Sequence, residues 1–288
     1  MWMLALCAPL SVHADTPHAA VVYDRVRGEL SPGTDAPKLE SMMNSIRSAS
    51  PTALTAVLEY GSRVECLECI PLLEDKLLDS KDPKVREMAA WWLRQRPFGY
   101  GRAAVAMRKV AVDDQDAVRR GRAVEALGEF LDVGGLPALE HAAMQDSSSD
   151  VRLSAVRALG RLNAQQGHAV LAAAFEDGDA DVRRAALDQV VRLNHWDNAG
   201  AVTARLADDD VKVRVRAAQI TGELRLPGAE DALAEILAGD AAPSARQAAA
   251  WALGRLGGGA AKDALIDARA SEKDQGVIDA IEVALKMK

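Results

Sequence analysis

An all-α, right-handed solenoid built from antiparallel helix pairs is the architecture this sequence predicts. Three observations carry the prediction. A helical motif recurs in DPKVREMAAWWLRQ, SSDVRLSAVRALGRL, DADVRRAALDQVVRL, DVKVRVRAAQITGEL and APSARQAAAWALGRL, with a branched or small apolar residue followed by Arg. The Arg column reads Arg86, Arg120, Arg152, Arg183, Arg214 and Arg246, in steps of 34, 32, 31, 31 and 32 residues, once QDAVRRGRAVEALGEF is aligned on Gly128. A period of this length with helical apolar spacing marks stacked repeats. Finally, hydrophobic residues make up 49% of the 288-residue chain but aromatics only 4%. Small aliphatic side chains suit closely packed helices rather than a thick sheet core.

Along the chain, MWMLALCAPLSVHA is uncharged and mostly apolar and ends in Val12-His13-Ala14, like the apolar core and cleavage site of an export signal. Residues 1–14 are therefore read as a signal peptide, although no Lys or Arg precedes the apolar run. That reading places the chain in the periplasm. The run is too short to cross a bilayer as a helix. Residues 15–37 form a turn-rich lead-in, and residues 38–288 are assigned to the repeats: about seven helical pairs, with a degenerate first unit and a terminal cap helix. Pro51 after Ser50 fits a capped first turn.

Each clear repeat reads as two helices. The first opens near Asp82, Asp179, Asp210 or Asp274, where a carboxylate can cap free N–H groups, and Pro83 and Pro243 occupy the first turn. Positions one, five, nine and twelve share a stripe, as in Val151, Ala155, Leu159 and Leu162, or Val213, Ala217, Thr221 and Leu224. Gly160, Gly222 and Gly254 recur at position ten, where an interior Gly costs about 1 kcal/mol against Ala; close approach of a neighbouring helix accounts for keeping them. The second helices read LPALEHAAMQ, GHAVLAAAFED, NAGAVTARLA, AEDALAEILA and AAKDALIDARA, after connectors short enough for antiparallel neighbours. The final QGVIDAIEVALKMK puts Ile278 in the Arg column. No segment carries a strand pattern.

The motif D-x-x-V-R-x-x-A followed by A-L-G-x-L resembles the HEAT repeat in its bacterial, phycobilisome-lyase-like form, over about residues 50–288. The resemblance implies an armadillo-like solenoid in which the repeated Asp and Arg join neighbouring repeats as a polar ladder. Asp82, Arg86, Arg152, Asp179, Arg183, Asp210, Arg214 and Arg246 are assigned to it. An alternative is an Arg stripe for acidic partners.

Cys66 and Cys69 form a C-x-x-C pair. Ile70 follows, so haem attachment is unsupported, and no second pair completes a zinc site. A redox thiol at a helix start is conceivable, but with Cys7 removed by export an even pair remains in an oxidising space, and a local disulfide is preferred. Trp91 and Trp251 share the seventh repeat position, elsewhere Arg157, Asp188 and Gln219. Trp in a polar register points to a binding surface, and Trp91, Trp251, Tyr100 and Arg94 are candidate partner contacts; packing beneath neighbouring segments is the competing reading.

No catalytic motif, metal-binding loop or cofactor site is recognised. The net charge of −7 disfavours a grip on nucleic acid. The expected function is a non-enzymatic, protein-binding scaffold of the bacterial envelope that docks its partner on a concave face formed by the second helices. The resemblance also implies an alternative, tetrapyrrole attachment as in phycobilin lyases, and more remotely a nucleic-acid-binding solenoid.

Overall fold

The computed structural model describes residues 21–22, 39–61, 64–95 and 100–287. Residues 1–14, read above as an export signal, and most of the lead-in lie outside them. The chain divides into two compact units, Met1–Tyr100 and Gly101–Lys288. Both are helical hairpins stacked in two layers, an all-α solenoid architecture.

In the first unit, α1 (Leu39–Ser48) stacks on α3 (Cys69–Asp79), and α2 (Pro51–Gly61) on α4 (Pro83–Arg94). Ser50 Oγ accepts the Ala53 N–H at 3.4 Å, and the Asp82 carboxylate accepts the Lys84 N–H at 2.9 Å, so both helices start on a side-chain cap followed by Pro. Trp92 is wholly buried, and its indole lies so close to Gly61 that any Cβ there would overlap the ring. One feature departs from the strand-free expectation. β1 (Val21–Val22) pairs antiparallel with β2 (Val64–Glu65). Three of these four residues are Val, a side chain that favours extended backbone.

The second unit runs through α5 (Tyr100–Asp113), α6 (Ala117–Phe130), α7 (Leu136–Gln145), α8 (Ser149–Leu162), α9 (His168–Ala173), α10 (Ala180–Val190), α11 (Ala199–Thr203), α12 (Val211–Leu224), α13 (Glu230–Gly239), α14 (Pro243–Leu256), α15 (Gly259–Ser271) and α16 (Gln275–Ala284). From α6 onward, the even-numbered helices carry the repeat motif and pack on one another as one layer; α7, α9, α11, α13 and α15 form the other. Two second helices are shorter than the sequence suggested. α9 and α11 tighten into 3₁₀ turns at Ala174–Glu176 and Ala204–Ala207. Trp196, in the connector after α10, lies against His168 and Phe175 with ring centroids 5.8 and 5.9 Å away, beside the shortened α9.

The glycine column has a direct cause. A Cβ on Gly128 would stand 3.0 Å from Ala158 Cα, one on Gly222 2.8 Å from Ala252 Cα, and one on Gly254 2.8 Å from Ala284 Cα. Adjacent first helices therefore meet backbone to backbone. At Gly160 the space is taken by the buried side chain of Gln189, whose amide donates to Ala185 O at 3.0 Å. The apolar stripe is buried at Val151, Ala155, Leu159, Val213, Ala217 and Thr221, but Leu224 at the twelfth position is 41% exposed. There α12 ends on Arg225 in the left-handed region, at φ 51°.

Candidate functional site

The Arg column builds a continuous ladder through the second unit. Arg120 donates through Nε and Nη2 to Asp146 at 2.7 and 2.8 Å, Arg152 to Asp177 at 2.7 and 2.9 Å, and Arg183 to Asp208 at 2.8 and 2.7 Å. Arg214 repeats the geometry with Asp240 at 2.6 and 3.0 Å, and Arg246 with Glu272 at 2.7 and 3.0 Å. Two parallel N–H···O bonds fix both partners in one plane. The remaining Nη1 of each Arg turns back to the chain. Arg152 donates to Asp146 O, Arg183 to Asp177 O, Arg214 to Asp208 O and Arg246 to Asp240 O, at 2.7 to 2.9 Å. Asp146, Asp177, Asp208 and Asp240 thus each hold one Arg by the carboxylate and the next Arg by the carbonyl, and Glu272 ends the ladder with its carboxylate on Arg246. In the first unit Arg86 Nη1 makes the corresponding main-chain bond to Ser80 O at 3.2 Å.

These acids are not the ones assigned from sequence. Asp82, Asp179 and Asp210 do not form the rungs: each caps its own helix, accepting from Lys84, Asp181 and Lys212 N–H. The rung acid stands two residues earlier, and its Oδ1 also accepts the N–H of the capping residue, as Asp177 does from Asp179 and Asp208 from Asp210. A carboxylate at the cap lies beside its own first turn, whereas one two residues upstream reaches the Arg of the preceding repeat. Asp146, Asp177, Asp208, Asp240 and Glu272 recur at steps of 31, 31, 32 and 32, a column that sequence reasoning missed although its period was visible.

The electrostatics follow the geometry. Arg246 and then the backbone N–H of Asp274 hold Glu272 at about 2, against an ordinary 4.5. Burial acts to raise Asp146 and Asp208, but their bonds from Arg120 and Arg183 and from backbone N–H groups outweigh it, so both sit below the usual carboxylate range. Asp240 is lowered chiefly by Arg214. Salt-bridged partners raise Arg120, Arg152, Arg183, Arg214 and Arg246 correspondingly.

Cys66 and Cys69 are joined by a disulfide with Cα atoms 5.2 Å apart, both side chains buried at the start of α3. The bridge ties the end of β2 to the first turn of the helix. Closing so short a loop removes little chain entropy, about 2 kcal/mol by the loop-length relation. Replacing both cysteines with Ala is therefore expected to destabilise the first unit by about 2 kcal/mol, read as a lowered urea midpoint. The second unit's midpoint stays in place.

The aromatic candidates separate. Trp91 (37% exposed) and exposed Arg94 belong to the first unit, and half-buried Tyr100 is its last residue and the first of α5. In the second, Trp251 is half-buried, with one edge against Gly222 and the Arg255 guanidinium 6.0 Å from its ring centroid. It walls an open groove between α12 and α14, with Val215, Arg216, Gln219, Glu223 and Gln247. A second groove shares Val215, Arg216, Gln219 and Ser244 and continues past Val211 and Lys212 to Arg184 on α10. Asp188 accepts from Arg216 at 2.6 Å across the gap between α10 and α12, and lies 3.9 Å from Arg184.

With this geometry established, comparison with known proteins gives a consistent result. The HEAT repeats family model matches residues 39–128, 105–192 and 199–286. The chain belongs to the HEAT repeat family. Among solved structures it is similar to YibA of Escherichia coli, with 16% identity and TM-score 0.55, covering 90% of this chain and all of that one. It is also similar to the structure of Kap95p bound to RanGDP, with 14% identity and TM-score 0.59, covering 85% of this chain and 38% of that one. The CpcE–CpcF phycocyanin lyase complex from Nostoc sp. aligns at 19% identity over 88% of this chain and 98% of that one, with TM-score 0.37. No curated protein matches the chain by sequence. At such identities the first two likenesses speak to the fold alone.

Proposed function

We propose that this chain is a non-enzymatic scaffold of the bacterial envelope, exported to the periplasm, that holds a protein partner along its first-helix layer. The observation that carries the reading is a division of labour within the repeat. Ladder, glycine and Ala columns are nearly constant and wholly engaged in joining neighbours, whereas the outward seventh position changes from Arg157 to Asp188, Gln219 and Trp251. A fixed frame with varied outward chemistry suits recognition. Kap95p, a protein-bound relative in fold, fits the same reading. The shifted carboxylates support a structural rather than catalytic use, because each lies in an ion pair or helix cap.

The test uses the full chain as bait in a periplasmic extract, beside Trp251→Ala and the exposed-site variant Gln219→Glu. A discrete protein partner is expected, lost with both variants while circular dichroism and melting of Gln219→Glu match the parent. A partner retained equally by all three proteins would refute the assigned surface. Recovery of the expressed chain solely in the cytoplasmic fraction, signal intact, would refute export.

A further inference from the structure

We infer that the joined grooves across α10, α12 and α14 receive an acidic, extended peptide segment, one whose carboxylates lie toward Lys212 and Ser244 and whose apolar side chain meets Val215 and Trp251. The inference rests on the scaffold reading above and names the class of partner.

Charge is the first argument. Although the chain is acidic overall, the groove wall presents Arg184, Lys212 and Arg216. Arg184 and Arg216 share Asp188, and Arg184 also meets Asp181 at 3.0 Å, but the exposed Lys212 has no acid within ion-pair distance among the described residues. A carboxylate already bridging two guanidinium groups across the gap shows which ligand chemistry this wall accommodates. Glu223 stands at the opposite end of the groove beside Trp251, which confines the cationic character to one half and gives a bound segment a direction.

The second argument comes from the repeat itself. Asp82, Asp116, Asp179, Asp210 and Asp274 each cap a first helix, accepting an N–H of its first turn. In the repeat that walls this groove the cap position is Ala242, which supplies no side-chain acceptor, and the N–H corresponding to those of Lys84, Asp181 and Lys212 belongs to Ser244. Ser244 lines both grooves, next to Lys212. A partner carboxylate would supply from outside the acceptor that neighbouring repeats carry within, and it would meet an ammonium at the same place. The apolar contribution lies further along, where Val215 and the half-buried Trp251 ring flank Gln219 and Gln247. Aromatic walls beside a polar rim are the usual anchors of a bound segment, and charge at the rim sets the on-rate and its salt dependence.

Fluorescence anisotropy on the full chain tests this with a labelled twelve-residue probe of Asp and Glu around a central Leu-Phe pair. Control probes carry Asn and Gln, or Lys, in place of the acids, and a labelled DNA duplex serves as a non-peptide polyanion. Saturable binding of the acidic probe is expected, weakened by added salt and by about tenfold in Lys212→Glu. Ala242→Asp is the discriminating variant: it restores the internal cap, so it should raise the melting temperature and weaken the probe together. Equal binding of the Asn/Gln probe, tighter binding of the duplex, or indifference to both variants would each overturn the inference. If the periplasmic bait still retains its partner under those conditions, the scaffold reading stands and only the acidic segment falls.

Discussion

Arg183→Met is expected to destabilise the second unit by about 3 kcal/mol, because it leaves the buried Asp208 carboxylate without its bidentate partner and with Arg205, 3.8 Å away, as its remaining counter-charge. Asp208 retains 2% of its side-chain exposure and Arg183 13%, far from the solvated pairs that contribute little. The same change at exposed Arg157, on the neighbouring first helix α8 but outside the ladder, is expected to stay within about 0.5 kcal/mol. Pairing Arg183→Met with Asp208→Leu should recover part of the loss, since an apolar pair of similar volume removes the stranded charge; denaturant midpoints of the parent, Arg183→Met, Asp208→Leu and the double variant give the coupling. Acid has the same target. Glu272 titrates at about 2 when folded and near 4.5 as an ordinary carboxylate. Its contribution is complete above about 4.5 and is lost as the pH falls towards 2, and the lowered Asp146, Asp208 and Asp240 add to the loss in the same direction. Stability followed from pH 7 downward should fall steeply in the parent and less steeply in Arg246→Met, whose Glu272 has lost the larger cause of its shift.

The second large effect reverses a familiar sign. Gly to Ala inside a helix ordinarily stabilises by up to about 1 kcal/mol. Gly222→Ala should instead destabilise by about 1 to 3 kcal/mol, since the new methyl falls 2.8 Å from Ala252 Cα and 2.7 Å from the Trp251 ring. Backbone on the facing helix cannot step aside as a side-chain tip would. Gly121→Ala in α6 is the control: its nearest neighbour would be Val151 Cγ2 at 3.8 Å, ordinary contact, and it should gain stability. Thermal melts of the two variants should move in opposite directions; a gain at both positions would show that α12 and α14 are free to separate.

Much of the architecture was legible because a repeat prints the same physical demand several times. Val, Arg, Ala and Gly at fixed offsets stated a helix, its buried stripe and its closest neighbour, and the proline and acid starts stated where each helix begins. The ladder was legible by half. The arginines stood out, since five of the six directly follow a Val or Ala that fixes the register. The acid was assigned to the cap column because Asp179 and Asp210 have an evident local use. The rung acids Asp177 and Asp208 sit in a connector, where local pattern says nothing about a partner 25 residues earlier. The groove was harder still. Trp251 was noticed for its register, but Lys212 and Ser244 are unremarkable until α10, α12 and α14 lie side by side, and the absent cap at Ala242 acquires meaning only against its neighbours. β1 and β2 were invisible for a related reason: two residues are too few to show an alternation.

The handover at each rung acid, from carboxylate on one side to carbonyl on the other, has a consequence for how such an array changes length. Cutting after any connector and splicing in one further block of 31 or 32 residues would leave every guanidinium facing a complete acceptor on both sides of the join. Growth or shrinkage by whole blocks is therefore electrostatically silent, whereas a shift of a few residues would break the pairing at the splice.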